Sequence, residues 1–243
     1  MLKIITTLSL FLIGMLAKGQ EAENRELSSF SKVEVKNGIE VIYTESKMPF
    51  LRVEAENVSV LKNLITEVKG KTLKIYLLKK EDQTTLENTI KVYLSAQNVS
   101  SFDVHSNSKI SVMNQITSEN LNIDLKSKGQ LSGTIICNGK TKLVANSGTI
   151  FNGRVETISF VGNFKNNSKI NVSGTTDKAS IEASDSSLLE ARNFIANTIL
   201  LNARGKSKAM IHVTKTIAVT VADEARISYT GYPEKIKIGR AHV

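Results

Sequence analysis

Two series of polar residues recur at intervals of about twenty through the C-terminal half of this 243-residue chain, and any chemistry would sit there. One series, Asp103, Asp124, Leu143, Asn163, Glu182, Asn202 and Thr220, opens with two carboxylates. Clustered carboxylates can bind calcium, which wants about six to eight oxygens, or cleave a glycosidic bond as a pair at a defined separation. Only two acids share the series before Leu143 interrupts it, and His105 and Lys126, two residues further along, offer charge balance instead. Three or more carboxylates on one face would favour a carbohydrate-active enzyme. The other series, Lys109, Gln130, Thr149, Lys169, Leu188, Lys208 and Arg226, could present cations to an acidic glycan or a phosphate-rich surface. The plainer alternative is a solvated face of mixed charge.

Other reactive groups are sparse. The sequence contains no GxSxG, HExxH or CxxC and no phosphate-binding glycine loop. His105 and His212 stand alone on strand-like segments, and Cys137 in Ile135-Ile136-Cys137-Asn138-Gly139 reads as a small apolar filler at a strand end. One cysteine cannot form an internal disulfide. Tyr229 and Tyr232 flank Thr230-Gly231 in a turn and read as packing of the last repeat. No catalytic, cofactor or metal residue is assigned, no cofactor is implied, and the residues that bind a ligand are left open.

The elements that carry these side chains follow a motif of small residue, any residue, aliphatic residue: Ser108-Lys109-Ile110, Gly129-Gln130-Leu131, Gly148-Thr149-Ile150, Ser168-Lys169-Ile170, Ser187-Leu188-Leu189, Ser207-Lys208-Ala209 and Ala225-Arg226-Ile227. The aliphatic markers lie 21, 19, 20, 19, 20 and 18 residues apart. Six positions before them stand Val104, Leu125, Val144, Phe164, Ala183, Ala203 and Val221; two positions after, Val112, Gly133, Asn152, Val172, Ala191, Ile211 and Tyr229. Four positions before, the turn formers Ser106, Ser127, Asn146, Asn166, Asp185, Gly205 and Asp223 recur. Strand, polar turn and strand at this period predict a parallel β-helix, in which each rung buries its apolar face on its neighbours. Seven rungs at about 4.8 Å make a column about 30 Å long. Asn152 and Gly133 break the pattern, so the second and third rungs are expected to be irregular.

Composition agrees: two prolines, no tryptophan and abundant Ser, Thr, Asn, Val and Ile favour an all-β fold. Residues 1–19 read as a signal peptide, with Lys3, an apolar run from Ile4 to Leu16, and Ala17-Lys18-Gly19 before cleavage at Gln20. That run is too short to span a bilayer comfortably, and no later stretch approaches the roughly 18–20 apolar residues required. The formal charge is +9, or +7 without Lys3 and Lys18, which bears on association rather than fold. At the other end, Ile238-Gly239-Arg240-Ala241-His242-Val243 is what ATC GGA AGA GCA CAC GTC encodes. This is a common sequencing-adapter sequence, with AAG for Lys237 in frame. Residues 238–243 are therefore expected to be read-through, with the last repeat cut short.

Residues 20–29 form a polar tether and 30–95 an N-terminal β portion, ahead of the repeats at 96–237. Alternation in Phe30, Val33, Val35 and Ile39, Val41, Tyr43 surrounds a turn at Asn37-Gly38. Strands at 51–55, 73–77 and 90–94, one helical turn over 58–64, a reversal at 67–72 and an exposed charged loop over 79–87 complete this part. The segment Phe30-Ser31-Lys32-Val33-Glu34-Val35-Lys36-Asn37-Gly38-Ile39-Glu40-Val41, with Ile65-Thr66-Glu67-Val68-Lys69-Gly70-Lys71-Thr72-Leu73-Lys74-Ile75, resembles the opening of the putative auto-transporter adhesin head GIN domain family, found in exported Bacteroidetes proteins. The small-x-aliphatic repeats and Tyr229-Thr230-Gly231-Tyr232-Pro233 resemble its later part. The resemblance covers nearly all of the mature chain and implies a right-handed β-helix in the cell envelope, without established catalytic residues. Nothing in the chain could form an autotransporter barrel.

These observations predict an exported, non-enzymatic envelope protein, an adhesin or surface-binding module located in the periplasm, at the cell surface or outside the cell. Its partner would be an anionic glycan or another envelope protein, with no nucleic acid and no membrane span in the mature chain. The alternatives are a β-helical carbohydrate-active enzyme, a lyase or hydrolase acting on acidic polysaccharide, and a periplasmic scaffold or signalling partner. Oligomeric state is left open.

Overall fold

Short strands with one apolar face and unpaired backbone edges are satisfied together when identical segments stack in parallel. The computed structural model describes residues 21–78 and 90–240 and shows this stack. The predicted signal peptide, the charged loop at 79–87 and His242 lie outside the described residues.

Six long strands form the body: β9 (Lys109–Lys126), β10 (Gln130–Asn146), β11 (Ile150–Lys165), β12 (Lys169–Ala183), β13 (Leu188–Ala203) and β14 (Lys208–Val221). Each pairs in parallel with the next. Shifts of register such as Ser132/Thr134 and Cys137/Lys140 divide a rung into three faces. β15 (Arg226–Thr230) and β16 (Lys235–Arg240) lie on β14 as the last rung. Residues 238–240, inside the segment expected to be read-through, extend β16 along Val219–Val221 and are exposed.

The opening strands join the same column. β2 (Lys32–Val35) pairs in parallel with β8 (Ser101–Val104), and β3 (Glu40–Glu45) with β9. On their outer side lie β6 (Thr72–Leu77) against β2, and β7 (Lys91–Ala96) against β3. β4 (Phe50–Ala55) then closes on β7, β1 (Glu21–Asn24) on β4, and β5 (Leu64–Lys69) on β6, all antiparallel. The helical turn α1 (Val58–Asn63) starts where the Asn57 side chain accepts the Val60 N–H at 2.9 Å. Arg25 donates to the carbonyls of Leu64 (2.6 Å) and Leu61 (3.1 Å), tying the segment before β2 to the C-terminal end of this turn.

The interior is a set of ladders. Ile123, Leu143, Gly162, Ile181, Leu201 and Val219 stack along one of them. A methyl group on Gly162 would lie 2.5 Å from the Phe164 ring, so glycine is required beside that phenylalanine. At the corner Gly129 alone must lack a side chain, because a Cβ there would sit 2.0 Å from the Val104 carbonyl oxygen, whereas Ser108, Ser168 and Ser187 fit buried at the equivalent position. The equivalent Ser207 donates its hydroxyl to Ala183 O at 3.2 Å.

The third rung differs from the sequence prediction by one residue. Gln130 pairs with Ile150 and Leu131 with Phe151, so Phe151 is the marker, and Thr149 is the small buried residue. Ala145 replaces Val144 in the inward ladder, Val144 replaces Leu143 in the outward one, Gly153 replaces Asn152, and Ser147 replaces Asn146 in the turn column. The cause is the turn. Ser147 and Gly148 both have positive φ (65° and 71°), as do Ser106-Asn107, Ser127-Lys128, Asn166-Asn167 and Asp185-Ser186. Consecutive left-handed residues are the turn that matches strand twist, and Gly148 belongs to that pair rather than to the buried corner.

Candidate functional site

The stack brings Glu34, Asp103 and Asp124 into one outward ladder, with Lys74 beyond Glu34. Lys36, His105 and Lys126 follow two residues later, the first two just past the ends of β2 and β8 and the third at the end of β9. A fragment of alternating chemistry, acid–apolar–base, thus repeats on three neighbouring strands. Lys126 Nζ lies 2.5 Å from Asp124 Oδ2, Lys36 pairs with Glu34, and Lys74 lies 3.6 Å from Glu34 Oε2. His105 Nε2 stands between Glu34 Oε1 (3.6 Å) and Asp103 Oδ1 (3.8 Å). Burial opposes ionisation of Glu34, but its bond to Lys36 and the charges of Lys36, Lys74 and His105 outweigh it and hold the carboxyl below its usual range. At Asp103 burial wins over Lys126 and His105, and the neighbouring Asp124 and Glu34 add repulsion, so that carboxyl is raised.

The two acids foreseen in the sequence are therefore together, and a third, Glu34, was missed. The lattice is largely neutralised. Among the described residues no group of three or more His, Cys, Asp or Glu side chains is placed to hold a metal.

The second series makes a different surface. In order along the column stand Lys91, Glu40, Lys109, Gln130, Ile150, Lys169, Leu188, Lys208 and Arg226. Thr149, expected here, points inward and is fully buried; Ile150 takes its place, half-buried. Lys109 pairs with Glu40 at 3.5 Å. Further along, the exposed Lys169, Lys208 and Arg226 meet the turn residue Lys206 around a cleft of about 500 Å³, whose lining also includes half-buried Leu188 and exposed Glu224. A second cleft of about 350 Å³ shares Lys169 and Leu188 and runs on to Asn152, Asn171 and Glu190. None of the four cations has an ion-pair partner within 4.0 Å among the described residues.

The turn geometry changes at this place. Up to Asp185-Ser186 each turn uses two left-handed residues, whereas Gly205 (φ 65°) and Asp223 (φ 57°) stand alone. The rung-to-rung bonds between turn backbones, such as Asn167 N–H to Asp185 O at 3.0 Å, give way to one from Gly205 N–H to the Asp223 carboxylate at 2.8 Å.

The remaining candidates are structural. Cys137 is buried, and its thiol donates to Glu119 O at 3.3 Å. Thr157 and Thr176 do the same to Gly139 O and Ile158 O on the next rungs. His212 Nδ1 lies 3.1 Å from Thr230 Oγ1 on the last rung. Tyr229 stacks over Ile211, but Tyr232 is 97% exposed and does not pack as the sequence suggested.

A family model described as "Putative auto-transporter adhesin, head GIN domain" matches residues 29–233. The chain belongs to this family. Three solved structures share the GIN-domain fold seen here. A putative adhesin from Parabacteroides distasonis is 15% identical, with a TM-score of 0.83 over 93% of this chain and 98% of its own. One from Parabacteroides merdae is 14% identical, with a TM-score of 0.81 over 92% and 96%. A putative lipid binding protein from Parabacteroides distasonis is 19% identical, with a TM-score of 0.80 over 93% and 98%. No curated protein matches the sequence. Among the described residues no helix is long and apolar enough to cross a membrane.

Proposed function

We propose that this chain is an exported, non-enzymatic adhesive module of the cell envelope, which holds an anionic surface ligand along one face of a rigid column. The observation that carries this reading is the row of uncompensated cations on Lys169, Lys206, Lys208 and Arg226. Cations left without internal partners on a rigid scaffold add their weak contacts together, because the rungs fix their spacing. The apolar run before Gln20 supports export. Family membership supports an envelope setting.

One observation favours a carbohydrate-active enzyme: three stacked carboxylates, with Asp103 raised as a general acid would be. Against it, Oδ1 of Asp103 and of Asp124 is buried without a hydrogen-bond partner, and Lys126 holds the other Asp124 oxygen.

Purified protein incubated with polygalacturonate separates the readings. The adhesive reading predicts retention of the polymer with no new reducing ends and no unsaturated product. Turnover that Asp103→Asn abolishes would establish the enzyme instead. Export is checked by fusing residues 1–29 to a reporter active only outside the cytoplasm and sequencing the N-terminus of the processed product, expected at Gln20.

A further inference from the structure

We infer that the two joined clefts form a single binding groove for one extended acidic polysaccharide, whose carboxylate or sulfate groups sit on Lys169, Lys206, Lys208 and Arg226. The inference rests on the adhesive reading above and adds the site and the ligand class. The clefts share Lys169 and Leu188 and so adjoin, together reaching from Asn152 on the third rung to Arg226 on the seventh. Five rungs at about 4.8 Å make this groove about 20 Å long. A small free anion would engage one or two of these cations and leave the others unmatched. A chain with charges at intervals of one or two rungs meets them all.

The rest of the lining selects a glycan over a membrane. Asn167, Asn171 and Asn152 supply amide donors and acceptors suited to sugar hydroxyls. Leu188 offers a small apolar contact between the cations of the neighbouring rungs, which suits the C–H face of a sugar ring. Glu190 and Glu224 in the lining would repel an evenly anionic lipid surface, but they tolerate a polymer whose charges are spaced apart. No aromatic side chain lines either cleft, so recognition is led by charge and falls with added salt.

The test titrates the whole protein with polygalacturonate, dextran sulfate, neutral dextran and phosphatidylglycerol-containing vesicles at low and physiological salt. Wild type is expected to hold at least one acidic polymer and not neutral dextran. The double variant Lys208→Glu/Arg226→Glu should lose about tenfold or more in affinity. Lys178→Glu/Lys215→Glu changes net charge equally at exposed positions away from the groove and should lose less than about threefold. Thermal melting shows that each variant folds, and the milder Lys208→Gln/Arg226→Gln should weaken binding in between. Equal losses in both charge-reversed pairs would overturn the groove while leaving anion binding intact. Wild type that binds only the vesicles would overturn the glycan assignment. Binding to none of the probes would overturn the adhesive reading itself.

Discussion

Lys109 and Lys208 occupy the same outward column of one β-helix, yet the first is matched by Glu40 and the second by no carboxylate within 4.0 Å among the described residues. The same contrast holds between the two charged regions. Toward the N-terminal side of the column, Glu34, Asp103 and Asp124 alternate with Lys36, Lys74, His105 and Lys126. Toward its C-terminal side, Lys169, Lys206, Lys208 and Arg226 line a groove whose only carboxylates are Glu190 and Glu224. A parallel stack places like residues above one another, and repulsion along a ladder is relieved either by internal counter-charges or by its surroundings, whether solvent, salt or a ligand. The lattice takes the first course and contributes to folding; the groove takes the second and is available for binding.

That division can be broken by mutation. The largest stability effect is expected at the lattice: Glu34→Lys would place a third cation beside Lys36 and Lys74 and should lower unfolding free energy by about 2 kcal/mol in a denaturant titration, with polymer binding unchanged. The groove pair Lys208→Glu/Arg226→Glu should do the reverse, shifting stability by no more than about 0.5 kcal/mol, as exposed substitutions do. If the groove variant melts like the lattice variant, the two regions are not different in kind.

Acid titration sharpens the contrast. The Glu34 carboxyl lies below its unfolded value of 4.5, so the stability it contributes is fully present above that pH and is lost as pH falls through the lower folded value. Asp103 is raised above 3.8, so it has the opposite sign: its ionisation costs stability, and that cost disappears as pH falls through the raised value. Glu34→Gln should therefore flatten the loss of stability below pH 4.5, whereas Asp103→Asn should make the protein more stable at neutral pH and steepen the loss in acid. Unfolding curves across this range check both. The smallest effect is expected from Leu188→Glu, which gives the groove the alternating pattern of the lattice between Lys169 and Lys208. It should raise stability by about 0.5 kcal/mol and weaken polymer binding.

The rungs were legible because one aliphatic position recurs every eighteen to twenty-one residues. The slip in the third rung was not, because Gly148 and Thr149 are adjacent small residues and spacing alone cannot say which turns and which is buried. Reading Ser147-Gly148 as the counterpart of Asn166-Asn167 would have settled it. Glu34 was missed because β2 stacks against β8, about seventy residues away, outside the repeated segment. Its signal was present nonetheless: Val33-Glu34-Val35-Lys36, Phe102-Asp103-Val104-His105 and Ile123-Asp124-Leu125-Lys126 share one pattern. Lys169, Lys208 and Arg226 were visible as a column, but Lys206 belongs to a turn, and only the folded rungs bring turn and strand to one cleft.

The most direct measurement is lysine reactivity, read by mass spectrometry with and without bound polygalacturonate. Lys169, Lys206 and Lys208 should lose reactivity when the polymer binds, while Lys36, Lys74 and Lys126 keep theirs. Protection of the lattice lysines, or equal protection of both sets, would contradict that division.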